Sequence, residues 1–462
     1  MNYPGYLTCS RRSGSRSLCT SAFGRTSAPQ AAQSHPAADF QFALLESLPS
    51  GVPGFRKVND NSLQHRVSLH GGSPRSVRKQ DRPLVARDLS TRGKTLDKLV
   101  AVAGQFKIQG KIMDIREYGN GNVNDTFLVT LDSTGEKHFI LQRINMQVFG
   151  QPELIMLNMR TFTEHVRKRL QNVPLSADRR WEVPRVLLAP DAQDHWIDPE
   201  GSFWRAISFI DGSQSFDTIK DTEHAREVGY ALGMFHNLLS DLPSARLVDT
   251  LEGFHITPRY LQRYDEVLAK NFASKSVEMD YCLQFVSERR AWAHVLENAR
   301  EQGRLRLRPI HGDPKVNNVM MDISSGQAIS IVDLDTVKPG LVHYDIGDCL
   351  RSGCNSLGEE TERWEMVRFD PELCRAILHG YLSLAREFLT ENDYEYLYDA
   401  IRLIAFELGL RFFTDYLAGN VYFKARYPEH NLARALVQFK LTESIESQAT
   451  AIRTIIQEIR RS

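Results

Sequence analysis

A short run near residue 311 carries residue types suited to moving a phosphoryl group. It reads His311-Gly-Asp-Pro-Lys-Val-Asn-Asn, and fifteen residues later Asp333 follows an apolar run. A carboxylate can hold an acceptor hydroxyl and take its proton, and a nearby cation can balance charge on the phosphoryl group. Amide and carboxylate oxygens are ligands that Mg²⁺ prefers. We therefore predict Asp313 as the catalytic base, Lys315 as the balancing cation, and Asn318 and Asp333 as Mg²⁺ ligands beside ATP.

The segments around this run predict a two-lobed α+β fold. Three short segments rich in β-formers are joined by tight turns, as in an antiparallel meander, and a helix begins near Pro152. Strand-like pieces return over 181–210, and the rest is mostly helical except for an island of β character over 310–337. A small β-rich lobe thus precedes a larger, mostly helical one. The predicted strands are 112–118, 125–131 and 137–144, and the predicted helices are 151–171, 219–240, 257–302, 371–389, 393–418 and 430–459.

Charge divides the chain unevenly. Its 462 residues hold 57 basic and 57 acidic side chains, but residues 1–95 hold 14 basic and only 5 acidic ones. This polar segment, rich in Ser, Arg, Gly and Pro, buries too little apolar area to fold, so we predict a disordered tail. The predicted domains are this tail, a nucleotide-binding lobe over 96–210, and a catalytic and acceptor-binding lobe over 211–462.

We expect a cytoplasmic location, with three interpretations open for the tail: a solvated extension, a start codon placed too far upstream, or a transit peptide. The zero net charge argues against a general nucleic-acid binder, and no apolar run is long enough to span a membrane. The six cysteines form no CxxC pair, which favours free thiols in a reducing compartment. No feature indicates an obligate protein partner.

Five further blocks extend the pattern over most of the chain. With the His311 run, their order resembles the aminoglycoside phosphotransferase and protein-kinase-like superfamily, and most closely the N-acetylhexosamine 1-kinases, over about Leu96 to Ile459. The blocks are Tyr118–Thr126 (YGNGNVNDT), Phe139–Asn145 (FILQRIN), Gly253–Arg259 (GFHITPR), Asp333–Arg351, and Glu407–Tyr416 (ELGLRFFTDY) continuing to His430-Asn431.

The first block has the composition of a phosphate-binding turn. Gly119 and Gly121 lie between two predicted strands, and glycine permits unusual φ angles and close approach of the backbone to phosphate. The third glycine of the protein-kinase loop is absent. The resemblance implies that Asn124, Asp125 and Thr126 belong to the loop over the ATP phosphates.

The third predicted strand departs from the superfamily. Protein kinases place a lysine there, paired with a glutamate of the following helix, whereas this chain offers Gln142 and Arg143. Side chains alternate along a strand, so only one of the two faces the cleft. We align Gln142 with the lysine and keep Arg143 as the candidate cation for ATP, with Asn158 or Glu164 as the helix partner.

The acceptor site is expected where loops of the helical lobe face Asp313. Glu407, Arg411 and Asp415 follow at four-residue intervals and so share one helix face. A buried ion network that joins helices is an equally open interpretation of these residues, and the resemblance implies a supporting rather than acid–base role for His311. The candidate acceptor-binding residues are His255, Arg259, Asp348, Arg351, Arg411 and Asp415.

The resemblance implies Mg²⁺-dependent transfer of phosphate from ATP to a sugar, at the anomeric hydroxyl of an N-acetylhexosamine. Three alternatives stay open. They are an aminoglycoside- or choline-type kinase of another small molecule, a non-catalytic nucleotide-binding protein, and a protein kinase. The short segment between Asp333 and the next helix disfavours the last, because it leaves little room to dock a peptide.

Overall fold

A computed structural model describes residues 89–119, 123–172, 178–270 and 276–461, excluding the side chains of 89–95. Gly121 and most of the predicted tail lie outside these residues. The first helix of the described residues begins at Leu89, inside the segment predicted as a tail. The helices are α1 (Leu89–Ala103), α2 (Pro152–Leu170), α3 (Thr222–Leu239), α4 (Thr257–Leu268), α5 (Val277–Arg289), α6 (Val295–Glu301), α7 (Val342–Gly353), α8 (Pro371–Ala385), α9 (Glu391–Glu395), α10 (Leu397–Leu417), α11 (His430–Ser447) and α12 (Ala449–Arg461).

The strands form one antiparallel sheet in the first lobe and two small sheets in the second. In the first lobe the order is β1-β2-β3-β6-β4, with β5 also paired to β6. In the second lobe β9 lies between β7 and β10, and β8 pairs with β11. The strands are β1 (Lys111–Glu117), β2 (Asp125–Asp132), β3 (His138–Arg143), β4 (Val186–Leu187), β5 (Trp196–Ile197), β6 (Phe203–Ser208), β7 (Ser213–Gln214), β8 (Arg308–Ile310), β9 (Val319–Asp322), β10 (Ala328–Ile331) and β11 (Lys338–Gly340).

Register on the first sheet places two different rows of side chains on its opposite faces. Gln142 of β3 lies opposite Thr126 of β2 and Arg205 of β6. The next residue, Arg143, lies opposite Asp125 and Trp204. Because consecutive residues of a strand point to opposite faces, these rows face opposite sides of the sheet.

Each lobe has its own apolar core. In the first, Leu99, Val102 and Phe106 of α1 and its C-terminal turn pack with Leu141 and Trp204 of the sheet. The larger core joins α2, which lies within the range predicted for the first lobe, to the helices of the second lobe and the small sheets. The α+β class with a β-rich lobe and a helical lobe is therefore confirmed.

Three predicted helices are in fact interrupted, and the 393–418 segment is one of them, with Tyr396 between α9 and α10. The 257–302 segment contains α4, α5 and α6, and the 430–459 segment breaks at Gln448 between α11 and α12. A backbone N–H of Gln448 returns to carbonyls of the preceding turn and so ends α11. No helix of the described residues is long and apolar enough to cross a membrane.

Candidate active site

The predicted catalytic residues lie around a β-hairpin of the second lobe. Asn318 immediately precedes β9, and Asp333 comes two residues after β10. The two strands are antiparallel, with Val319 opposite Ile331, and the Val332 N–H donates to the Asn318 carbonyl at 2.9 Å. Antiparallel pairing therefore brings the two predicted metal ligands to the same end of the hairpin.

Asp313, Lys315 and Asn318 contact one another directly. The Lys315 ammonium donates to Asp313 Oδ2 at 2.6 Å. The Asn318 amide donates to the Asp313 carbonyl at 2.7 Å and to Oδ2 at 3.3 Å. Burial opposes ionisation of Asp313, but Lys315 and, more weakly, Arg351 hold its pKa below the usual range. Asp313 is thus an ionised carboxylate, the form that a catalytic base requires.

The donor set at the hairpin end fits a Mg²⁺ ion. The Asn318 Oδ1 atom and the Asp333 carboxylate accept no hydrogen bond from any described residue, so their oxygens are available. Surrounding protein and the neighbouring Asp335 carboxylate raise the pKa of Asp333 to about 6. A positive ion next to Asp333 would favour its ionised form.

Asp333 has a strained backbone, with φ 68° and ψ 58° in the left-handed region. Such a conformation costs a non-glycine residue about 1 kcal/mol or more and persists only where the surroundings enforce it. The catalytic loop has a second constrained position, Gly312, with φ 87°, where a Cβ would lie 2.8 Å from the Thr336 carbonyl oxygen. Glycine is required there because any side chain would push the two loops apart.

Histidine 311 supports the loop, as the resemblance implied. Its Nδ1 faces the Asp313 N–H at 3.2 Å and its Nε2 faces the Val332 carbonyl at 3.0 Å. Nδ1 must therefore accept and Nε2 donate, which makes a neutral ring, and burial lowers the pKa of His311 in agreement.

A buried carboxylate and a second histidine hold the loop from below. Asp345 accepts hydrogen bonds from the backbone N–H groups of His311 and Gly312, at 2.7 and 2.8 Å. His236 contacts the same carboxylate at 2.9 Å. His236 is buried and connects Asp345 to Tyr381.

His255 lies directly under the loop, and its partners define its charge. Nδ1 lies 2.9 Å from Glu407 Oε1, and Nε2 lies 2.6 Å from the Gly312 carbonyl. Both neighbours are acceptors, so both nitrogens carry protons. Burial alone would lower the pKa of His255, but Glu407 raises it above the ordinary value.

Three of the other predicted acceptor-binding residues are engaged by one another or by the backbone, although Asp348 Oδ2 is buried without a hydrogen-bond partner in the described residues. Arg351 donates to Asp348 at 2.8 Å and to Glu359 at 3.1 Å within the protein interior. Asp415 accepts backbone hydrogen bonds from residues 421, 422 and 423, at 2.8 to 2.9 Å, and so shapes the loop between α10 and α11. Arg259 is 56% exposed and pairs with Glu252.

Arg411 differs from these residues. Its guanidinium lies over the rings of Phe254, Tyr260 and Phe423, at 5.1, 5.0 and 5.4 Å. It makes no hydrogen bond or ion pair with any described residue. Burial opposes the charge, but the hydroxyl of Tyr260 and other groups, Asp313 among them, raise the pKa of Arg411.

The predicted nucleotide-binding residues separate into two groups. Asn124, Thr126 and Gln142 belong to one hydrogen-bonded cluster on the face of the sheet that meets Asp335. Arg143 lies on the other face, is 47% exposed and pairs with Asp125. Gly119 adopts φ 75° at the described edge of the turn, and a Cβ added there would meet no atom of the described residues within 4 Å.

Sequence reasoning missed the most buried charge of that cluster, Arg205. Its ion-pair partner is Asp335, two residues beyond Asp333. An arginine inside the otherwise apolar run Phe203–Ile207, and a second aspartate so close to a predicted metal ligand, were the available signals.

The fold is kinase-like: it has a β-rich lobe and a helical lobe. The loop of Asp313 and the hairpin of Asp333 both lie on the helical side. The chain belongs to the phosphotransferase enzyme family (APH), whose model matches residues 114–389. It is a small-molecule phosphotransferase of that family.

Solved structures share this fold at low identity. A microcompartment-associated aminopropanol kinase is 17% identical with a TM-score of 0.51, covering 77% of this chain and 98% of its own. A choline kinase from Cryptosporidium parvum is 14% identical with a TM-score of 0.50, covering 79% of this chain and 98% of its own.

Proposed function

We propose that this phosphotransferase moves the γ-phosphoryl group of ATP to the anomeric hydroxyl of an N-acetylhexosamine. The observation that carries the choice of acceptor is Arg411, a guanidinium without a polar partner among the described residues. The resemblance of the Gly253–Arg259 and Glu407–Tyr416 blocks to N-acetylhexosamine 1-kinases supports the same choice.

The charge around Asp313 argues for an acceptor that is not a cation. Lys315 contacts Asp313, and His255 is protonated beneath the loop. Arg351 and Arg411 are both close enough to Asp313 for its charge to raise their pKa values. Asp348, Glu359 and Glu407 are already engaged by Arg351 or His255. A positively charged amine would meet repulsion from these four cationic groups, although one buried oxygen of Asp348 has no hydrogen-bond partner among the described residues. A neutral sugar offers hydroxyl and carbonyl oxygens that a guanidinium can donate to.

In the proposed reaction, Asp313 accepts the proton of the acceptor hydroxyl. The oxygen of that hydroxyl forms a bond to the γ-phosphorus of ATP, and the bond between the γ-phosphorus and the β-phosphate oxygen breaks, which releases ADP. Lys315 holds Asp313 and offsets negative charge near the moving group. Asn318 and Asp333 would hold Mg²⁺, which would neutralise charge on the ATP phosphates. The anomeric hydroxyl is more acidic than an ordinary alcohol, so one carboxylate suffices as base.

A panel of acceptors tests the proposal. The full chain is incubated with ATP, Mg²⁺ and either N-acetylglucosamine, N-acetylgalactosamine, glucose, glucosamine, choline or 1-amino-2-propanol. ADP release is measured and products are identified by ³¹P NMR. We expect a sugar 1-phosphate doublet with an acetylated sugar, and much slower turnover with glucosamine, which differs by replacing the neutral acetamide with an ammonium group. Turnover of the amines in preference to the acetylated sugars would overturn the choice of acceptor.

Arg411→Met supplies the matched variant, because methionine keeps apolar contact with the three rings but removes the donors. We expect the KM for the sugar to rise about tenfold or more while the KM for ATP stays unchanged. An equal change in both constants would argue against a sugar contact.

A further inference from the structure

One buried ion pair joins the first sheet to the loop that carries Asp333. Arg205 Nη2 of β6 lies 2.5 Å from Asp335 Oδ1, with side-chain exposures of 1% and 2%. Among arginine or lysine pairs with carboxylates in the described residues, no other has both partners so deeply buried. Removing two charges from water is costly, so such a pair needs a compensating role or additional hydrogen bonds.

Those additional hydrogen bonds come from three strands. Arg205 donates from Nε and Nη2 to Gln142 Oε1, at 2.9 and 2.7 Å. Gln142 in turn donates to Thr126 Oγ1 at 3.0 Å. Asn124, next to the glycine turn, donates to the second oxygen of Asp335 at 2.6 Å. The row of Thr126, Gln142 and Arg205 across the sheet is therefore linked by hydrogen bonds, and Arg205 connects it to the Asp335 carboxylate of the other lobe.

The lysine–glutamate pair of protein kinases has no counterpart in the described residues. Gln142 stands at the lysine position, and Glu164 of α2 is exposed and 3.8 Å from Arg160. Asn158 uses its amide on the backbone of Val248 and Val337. Helix α2 thus provides no charged partner to the third strand, and Arg205 is the buried cation of this region.

We propose that Arg205 is a positioning residue for metal binding, fixing the Asp333–Asp335 loop against the nucleotide-binding sheet through Asp335. This inference rests on the nucleotide and Mg²⁺ part of the proposed function but not on the identity of the acceptor. The strained conformation of Asp333 requires its loop to be held on both sides. Asp335 provides this anchor, since its carboxylate binds Arg205 and Asn124 and its carbonyl accepts from Thr250 Oγ1 at 3.0 Å.

One N–H group of the cluster is left without a hydrogen-bond acceptor. Arg205 Nη1 is buried and has no hydrogen-bond partner in the described residues. An unpaired buried donor is unfavourable, and a hydrogen bond to a ligand oxygen would remove this cost. A phosphate oxygen of the nucleotide, or a water bound to the metal, has the chemistry to accept from it.

The test measures binding rather than turnover. Mn²⁺ replaces Mg²⁺ as the probe, and its affinity for the full chain in the presence of ADP is followed by electron paramagnetic resonance. We expect Arg205→Gln and Asp335→Asn each to weaken Mn²⁺ binding about 10- to 100-fold, because outer partners of metal ligands have effects of this size. The double variant should be no weaker than the worse single variant, because both act through one contact. Arg205→Lys, which keeps the charge, should lie between wild type and Arg205→Gln.

Arg308→Gln is the matched control. It breaks another buried ion pair, between Arg308 and Asp393, with exposures of 12% and 1%. We expect it to lower the melting temperature without changing Mn²⁺ affinity. If folded Arg205→Gln binds Mn²⁺ as wild type does, or if the control weakens binding equally, the positioning role is overturned. Failure of the acceptor panel alongside Arg205-dependent Mn²⁺ binding would overturn only the proposed acceptor.

Discussion

At the scale of single residues, the proposed reaction depends most on one carboxylate, Asp313. Lysine 315 and Asn318 hold it in place. Replacing it with asparagine keeps the shape but removes the proton acceptor, so we expect turnover to fall about a hundredfold to ten-thousandfold. Thermal protection by ATP and Mg²⁺ should survive, because Asn318 and Asp333 remain.

Asp114→Asn makes the same chemical change at an exposed position of β1 and should leave turnover unchanged. Steady-state ADP release and a thermal-shift titration with ATP measure both effects. Full activity of Asp313→Asn would reject the role of Asp313 as base.

The His255–Glu407 pair predicts a pH-dependent stability. Because the folded protein raises the pKa of His255, its stabilising contribution is complete below the unfolded value of about 6.5 and is lost as pH rises through the folded pKa. Breaking the charged hydrogen bonds should cost about 1–3 kcal/mol at pH 6.

The contribution of the His255–Glu407 pair to stability is measured by urea unfolding of wild type and His255→Asn between pH 6 and 9. Asparagine suits the position because residue 255 has φ 66°, in a region that asparagine tolerates. The difference in unfolding free energy should shrink as pH rises above neutrality. A difference that stays constant over this range would show that His255 does not titrate against Glu407.

At the scale of elements, the closest packing in the helical lobe is between α3 and α8. A Cβ on Gly229 would lie 1.9 Å from the Ile377 carbonyl oxygen, and one on Gly380 would lie 1.9 Å from the Arg226 carbonyl oxygen. The two helices therefore touch backbone to backbone, with a glycine on each side.

Alanine at Gly229 should destabilise the fold by about 3 kcal/mol. Alanine normally favours a helix over glycine by about 1 kcal/mol, but a backbone oxygen cannot rotate away from the new methyl group. Gly150→Ala, where no atom lies within 4 Å, is the control and should be neutral or slightly stabilising. Chemical denaturation measures both, and equal stability of Gly229→Ala and wild type would mean that the helices separate at little cost.

At the scale of the whole molecule, the basic segment over residues 1–95 has no part in the proposed reaction, and its role concerns cellular location instead. We propose a cytoplasmic protein, so fractionation should find it in the cytosol, and N-terminal sequencing of that fraction would show whether residues 1–95 are kept. Recovery from an organelle of a chain that lacks this segment would instead support the transit-peptide interpretation.

The sequence by itself determined which residues of the 311–318 loop contact one another. Asp313, Lys315 and Asn318 lie within six residues, and local backbone geometry brings them together, so their types and spacing predict their contacts. The two-lobed α+β class also followed from the order of strand-like and helical segments. These features depend on neighbours in the chain.

Only the tertiary structure decided which buried cation pairs with a carboxylate at the first sheet. It also decided which of the predicted acceptor-binding residues lack a polar partner among the described residues. Arg205 meets Asp335 across 130 positions of chain because strand register turns its row toward the other lobe. Asp415, predicted as a sugar ligand, uses its carboxylate on the loop after α10, whereas Arg411, one helical turn earlier, meets only aromatic rings among the described residues. Spacing can place two residues on one helix face, but the partners of each depend on what packs against that face.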